Sequence, residues 1–265
     1  MSTQHGTRTG TEVEAVLDAG VLTVTIRRPD SLNSVNDQVL HDLADLVEGA
    51  ASHADARVVV LRGEGRAFSS GADLDPDEQA GDPSTATIDA ANRLVGVIRD
   101  SRLPVVSVVQ GPCAGVGVPI ALAADLTVAS SAAFFMLAFT KIGLMPDGGA
   151  SALVAASVGR ATAMRMALLA ERLSATDAKA AGLVAAVHDP EVFDAEVRAV
   201  LDHLVAGPPA AYARTKQAIN SATLGALDAA FELERDGQMV LLGADDFAEG
   251  AAAFREKRTP TFSDR

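Results

Sequence analysis

Arg66-Ala-Phe-Ser-Ser-Gly-Ala-Asp-Leu74 follows directly on the apolar run Val58-Val-Val-Leu61, and Gly111-Pro-Cys-Ala-Gly-Val-Gly-Val-Pro119 follows in the same way on Val105-Val-Ser-Val-Val109. Short β-branched runs of this kind read as buried strands, and the small residues after them read as tight strand exits where a ligand can approach the main chain. Two such exits can aim two peptide N–H groups at one point, which is how an oxyanion hole is built.

The segments on either side extend the same rhythm. Val13 to Ile26 reads as two strands hinged at Ala19-Gly20. After Arg28-Pro29-Asp30 breaks the strand, Ser34 or Asn36 can cap a helix carrying Val39, Leu40, Leu43, Leu46 and Val47. Ala86 to Arg99 reads as a helix, Val116 to Ala124 as another, and Leu126 to Ala129 as a strand. Alternation of this kind implies an α/β fold with parallel strands, right-handed crossovers and sites at the strand C-terminal ends. Asp75 to Ser84 is acidic and rich in Pro and Gly, and is expected to form a mobile flap. From Gly159 onward the pattern is almost wholly helical: Ala161 to Leu169, Ser174 to Ala181 with Gly182 as a stop, Val192 to Ala206, Ala210 to Ala222, Leu227 to Leu242, and Asp245 to Lys257.

Composition narrows the function. The 265 residues are 48% hydrophobic, enough for one large core, and the formal charge of −13 argues against broad nucleic-acid binding. The single cysteine, Cys113, rules out an internal disulfide and fits a cytoplasmic location; a small packed side chain is its more frequent role, a nucleophile the rarer one. The polar residues 1–10 read as a frayed terminus, and no apolar run reads as long enough to cross a bilayer. His5, His41, His53, His188 and His203 show no metal-ligand spacing, so no metal is expected. Gly115-Val-Gly117 lacks the rest of a dinucleotide fingerprint, and Ser69, Ser70 and Ser151 lack a recognisable activating histidine.

Six separated motifs carry a resemblance that spans nearly the whole chain. They are Arg28-Pro-Asp-Ser-Leu-Asn33, Ala67 to Leu74, Gly111 to Asp125, Ile142-Gly-Leu-Met-Pro-Asp-Gly-Gly149, Leu173 to Val184 and Glu249 to Arg258. In this order they resemble the enoyl-CoA hydratase/isomerase family, the crotonase superfamily. The resemblance implies a spiral of ββα units over residues 11–200 and a helical trimerisation region over 201–265, with assembly as a homotrimer or a dimer of trimers. It implies an acyl-CoA substrate, with coenzyme A entering as part of that substrate and no separate cofactor.

By the same resemblance the amides of Ala72 and Val116 would hold the thioester oxygen. Lys257, Arg28, Ser70, Asp73 and Leu74 would border the CoA moiety, and Pro119, Phe139 and Leu144 the acyl pocket. Hydratases of the family place two glutamates where this chain has Pro119 and Phe139, and neither of those side chains exchanges protons. Asp147 matches the aspartate of certain isomerase members and is the acid/base candidate. Near an apolar pocket its pKa should rise, and a 1,3-proton shift needs only one such group. Capping of the helix that begins after Gly148 is its other reading. A double-bond isomerase, a hydratase acting through another residue, and a non-catalytic acyl-CoA binder all remain open at this level.

Overall fold

The computed structural model describes residues 5–9, 12–74 and 84–264, so the expected flap lies, but for Ser84, outside the described residues. Its strands and helices in chain order are β1 His5–Thr9, β2 Val13–Asp18, β3 Val21–Ile26, α1 Asp37–Gly49, β4 Val58–Gly63, α2 Ala86–Asp100, β5 Val105–Val109, β6 Pro112–Ala114, α3 Gly117–Ala123, β7 Leu126–Ser130, β8 Phe134–Met136, α4 Ala150–Leu169, β9 Leu173–Ser174, α5 Ala175–Ala181, β10 Ala186–His188, α6 Phe193–Ala206, α7 Pro209–Thr223, α8 Leu227–Leu242 and α9 Asp245–Glu256.

Ala19 and Gly20 both take positive φ, as a two-residue hairpin turn requires, and they join β2 to β3. From β3 onward the main sheet is parallel, in the order β1-β2-β3-β4-β5-β7-β10. A second sheet, β6-β8-β9, is made of strands only two or three residues long. Two of the main strands feed a short one and then a helical segment: β5, β6, α3, and then β7, β8 and the segment leading to α4. This is the expected ββα repeat.

Two apolar layers hold the sheet. On one face Val24, Ile26, Val59 and Leu61 pack against Leu40 and Leu43 of α1, Leu94 and Ile98 of α2, and Ile120 of α3. On the other, Val58, Val60, Val106, Val108 and Val128 meet Phe193, Val197 and Leu201 of α6. Asn36, one of the two caps expected from sequence, accepts a hydrogen bond from the Val39 amide at 3.0 Å and starts α1.

Two expectations need correction. The N-terminal stretch is not simply frayed, because residues 5–9 pair antiparallel with β2 along their whole length; a backbone ladder at a sheet edge needs no apolar alternation to announce it. Helix α4 is also long and apolar enough, by length and composition, to cross a membrane, which the sequence reading missed. Gly159 breaks it, with φ 72° and ψ 166° inside the helix, a conformation reserved for glycine. Each half is then too short to span a bilayer.

Candidate functional site

The two turns lie side by side because their backbones pair. The Ser69 amide donates to Pro112 O at 3.3 Å and the Ala114 amide to Ser69 O at 2.9 Å, a parallel bridge centred on Ser69 and Cys113, and the Phe68 amide also reaches Pro112 O at 3.0 Å. Polar side chains fix the spacing from below. Asn33 Nδ2 donates to the carbonyls of Glu64 and Ala67, and Gln110 Nε2 donates to those of Gly63, Gly65 and Ala67.

The glycines then allow contact that no other residue would. Gly71 takes φ 103° and Gly115 φ 53°, and a Cβ on Gly71 would stand 3.1 Å from Ala114 O and 3.2 Å from the Gly115 Cα. The residues that follow are Ala72 and Val116. A bridge from Val35 uses the carbonyl of Gly71 and the amide of Asp73, each at 2.9 Å, so backbone alternation turns the Ala72 amide the other way. On the second turn, the Gly115 amide goes to Met136 O, and Gly115 O accepts from Val118. Neither the Ala72 nor the Val116 amide has an acceptor among the described residues. Main-chain donors held this rigidly and left open are suited to a developing oxyanion.

Asp147 comes to the same place through its neighbour. A Cβ on Gly148 would lie 3.1 Å from Val116 Cγ2, 3.2 Å from Pro119 Cγ and 3.8 Å from Ala91 Cβ, which seats the Asp147-Gly148 turn on the start of α3 and on α2. Asp147 is buried, with 8% of the residue exposed. Burial pushes its pKa up to about 7; the hydrogen bond from Gln238 pulls against this, and the charge of Glu234 adds to it.

Asp147 does not cap α4, contrary to its other sequence reading. Gly149 is the N-cap residue, and the helix amides are taken by Glu234 from α8, which accepts from the Gly149 amide at 2.6 Å, the Ser151 amide at 2.8 Å and the Ser151 hydroxyl. One turn along α8, Gln238 donates from Nε2 to Asp147 Oδ2 at 2.8 Å and accepts from the Met145 amide at 3.2 Å. Both residues are buried at 1% exposure. Sequence reasoning missed this pair. Its one local signal is a Glu and a Gln four apart on the face that also carries Leu227 and Ala230.

The remaining sequence-predicted residues divide. Phe139 and Val116 belong to the main core, with Leu144 packed against it, and Pro119 is buried. Ser70 donates from Oγ to Ser31 O, and Leu74 is half-buried. Arg28, expected to border the CoA moiety, pairs through its guanidinium with Asp73 at 2.7 Å and Glu12 at 3.0 Å, and donates to Ser34 O at 2.9 Å. Two carboxylates thus already neutralise it while it braces the first turn. Lys257 ends α9 with φ 57°, exposed and without an ion-pair partner among the described residues, whereas its neighbour Arg258 is engaged by Glu249 and Glu256. Cys113 is buried, its thiol pushed up by desolvation and directed to Gly117 O, which suits packing and not nucleophilic attack.

Comparison with known proteins identifies the family. The family model described as enoyl-CoA hydratase/isomerase matches residues 17–265. A probable enoyl-CoA hydratase of Rhodobacter capsulatus is 40% identical over 251 residues, covering 94% of this chain and 96% of the relative. The 1,2-epoxyphenylacetyl-CoA isomerase of Escherichia coli is 37% identical over 252 residues, covering 93% and 96%. The crystal structure of an enoyl-CoA hydratase from Mycobacterium avium subsp. paratuberculosis superposes with a TM-score of 0.90 at 56% identity, over 96% of this chain and 99% of that one. The fold is the crotonase fold, and the chain belongs to the enoyl-CoA hydratase/isomerase family.

Proposed function

We propose that this enzyme shifts a double bond in an unsaturated acyl-CoA, with the Ala72 and Val116 amides stabilising the thioester enolate and Asp147 as the single acid/base. The observation that carries the reading is one buried carboxyl with a pKa near neutrality, seated against Val116 by Gly148. Asp147 takes a proton from carbon on one side of the forming enolate and returns it at the other end, so no water is consumed. Each open amide contributes about 3 kcal/mol to the enolate.

Two facts weigh against two-carboxylate hydration. Positions 119 and 139 carry Pro and Phe, and Glu234, the other buried acid nearby, already has both oxygens on the amides that open α4. Similarity to a protein named as a 1,2-epoxyphenylacetyl-CoA isomerase supports isomerase chemistry. The names of other relatives, such as the 2,3-dehydroadipyl-CoA hydratase of Escherichia coli at 32% identity, favour water addition as the second reading. Turnover of trans-3-hexenoyl-CoA, followed by the conjugated product, decides: Asp147→Asn abolishes it on the first reading while binding persists. Crotonyl-CoA hydrated well above the buffer rate favours the second, and tight binding with no turnover of either thioester favours a non-catalytic binder.

Under this reading Lys257 supplies charge to the CoA phosphates, and Ser70, Asp73 and Leu74 border its adenine and pantetheine. The protein works as a homotrimer or dimer of trimers. Support for assembly comes from large apolar side chains left open on three helices: Leu168 at 67% and Leu169 at 60% on α4, Val240 at 74% on α8 and Phe254 at 63% on α9.

A further inference from the structure

Helix α8 reaches Asp147 with a side chain whose orientation is forced. Gln238 Oε1 accepts from the Met145 amide, a group that can only donate, so the amide cannot be turned over and only Nε2 faces Asp147. That N–H occupies Oδ2. A proton on Oδ2 would stand against it, so the carboxylic acid form carries its proton on Oδ1. Oδ1 has no partner among the described residues and is not one of the sealed, unpartnered side-chain atoms, so open surface remains at that oxygen.

Resting on the acid/base reading of Asp147, we propose that Gln238 is a positioning residue for the proton transfer: it locks the carboxyl through Oδ2 and confines proton exchange to Oδ1. The lock is relayed along the backbone, because the same amide side chain also holds Met145, and Glu234 one turn earlier holds Gly149 and Ser151. Asp147 is thus pinned from both sides of its own segment by one helix distant in sequence. The groups acting on the Asp147 carboxyl are Gln238 and the acidic Glu234; the residues packed at adjacent Gly148, Ala91 of α2, Val116 just before α3 and Pro119 of α3, do not titrate. Since the Gln238 N–H favours the carboxylate, its loss moves Asp147 toward the protonated form.

The test is Gln238→Met, with kinetics on trans-3-hexenoyl-CoA across pH and a carbon NMR titration of the Asp147 carboxyl in the free protein, which needs no substrate. The proposal expects kcat near pH 7 to fall about tenfold with KM within about twofold. It also expects the Asp147 midpoint and the acidic limb of kcat to rise together by about half a unit or more. Gln238→Glu, which keeps the volume and the acceptor for Met145, should move both in the same direction, and it carries the test if Gln238→Met does not fold. A wild-type midpoint with lost activity is what a merely structural role would give and overturns the proposal; so does wild-type behaviour in both measurements. Turnover that survives Asp147→Asn removes the acid/base reading, and this proposal with it, whereas an unmoved midpoint beside an inactive Asp147→Asn removes this proposal alone.

Discussion

Gly71 and Gly115 meet across the two strand exits with 3.2 Å between the Gly115 Cα and the place a Gly71 Cβ would occupy, so neither turn has room for a side chain where they touch. Each glycine is followed by the residue whose amide stays open. The site is therefore defined by backbone approach, and a methyl group at either glycine is enough to disturb it.

Gly71→Ala would carry a strained φ of 103° in addition to the contact with Ala114 O. It is expected to lower kcat/KM about 100-fold, the loss of one oxyanion donor. Steady-state kinetics beside a thermal melt will separate this from global loss of fold.

Asp147 makes stability and activity oppose one another. Its pKa of about 7 lies above the ordinary 3.8, so between those values the native protein holds a proton that the unfolded chain has released. Stability therefore falls as pH rises from about 4 through 7. Asp147→Asn should be the more stable protein at about pH 8, by up to about 4 kcal/mol, and the difference should close near pH 4. Denaturant titrations at the two pH values check the sign. A variant less stable at both would show that the carboxyl is not held out of its charged state.

Glu234→Gln should act opposite to the Gln238 variants. Removing the nearby charge lowers the Asp147 midpoint, moving the acidic limb of kcat below about 7. Some stability will be lost as well, since α4 gives up a charged acceptor on the Gly149 and Ser151 amides. A pH profile of kcat with trans-3-hexenoyl-CoA measures the shift.

The longer strands and helices were readable because each is a run long enough to show its period: Val105 to Val109 and Leu227 to Leu242 have the bounds expected, and Gly182 ends α5. Strands β6, β8 and β9 were not, because two or three residues cannot display an alternation and their pairing is set by the turns around them. Within the site, the glycine-bearing turns and Asp147 could be picked out from local spacing and resemblance. Glu234 and Gln238 could not, since their partners lie more than 80 residues away and nothing local marks a buried polar pair as tied to a distant carboxyl. The Arg28–Asp73 ion pair was not legible for the same reason: its partners are close in space and far apart in sequence.

Lys216 gives a separate structural test. Its ammonium, on α7, donates to Ile98 O at 2.9 Å and pairs with Asp125 at 2.9 Å, while Asp125 also accepts from the Val105 amide. Lys216→Met leaves that carboxylate and carbonyl without their partner and should cost about 3 kcal/mol in denaturant unfolding, with little change in KM.

The open amides of Ala72 and Val116 are expected to polarise a bound thioester. The most direct measurement is the infrared stretch of an isotope-labelled crotonyl-CoA thioester carbonyl bound to Asp147→Asn, a variant expected to bind without turnover. Polarisation by the two amides lowers the stretch below its value in water, and Gly71→Ala returns it toward that value. A bound carbonyl that vibrates at or above its frequency in water rules out an oxyanion site at these amides.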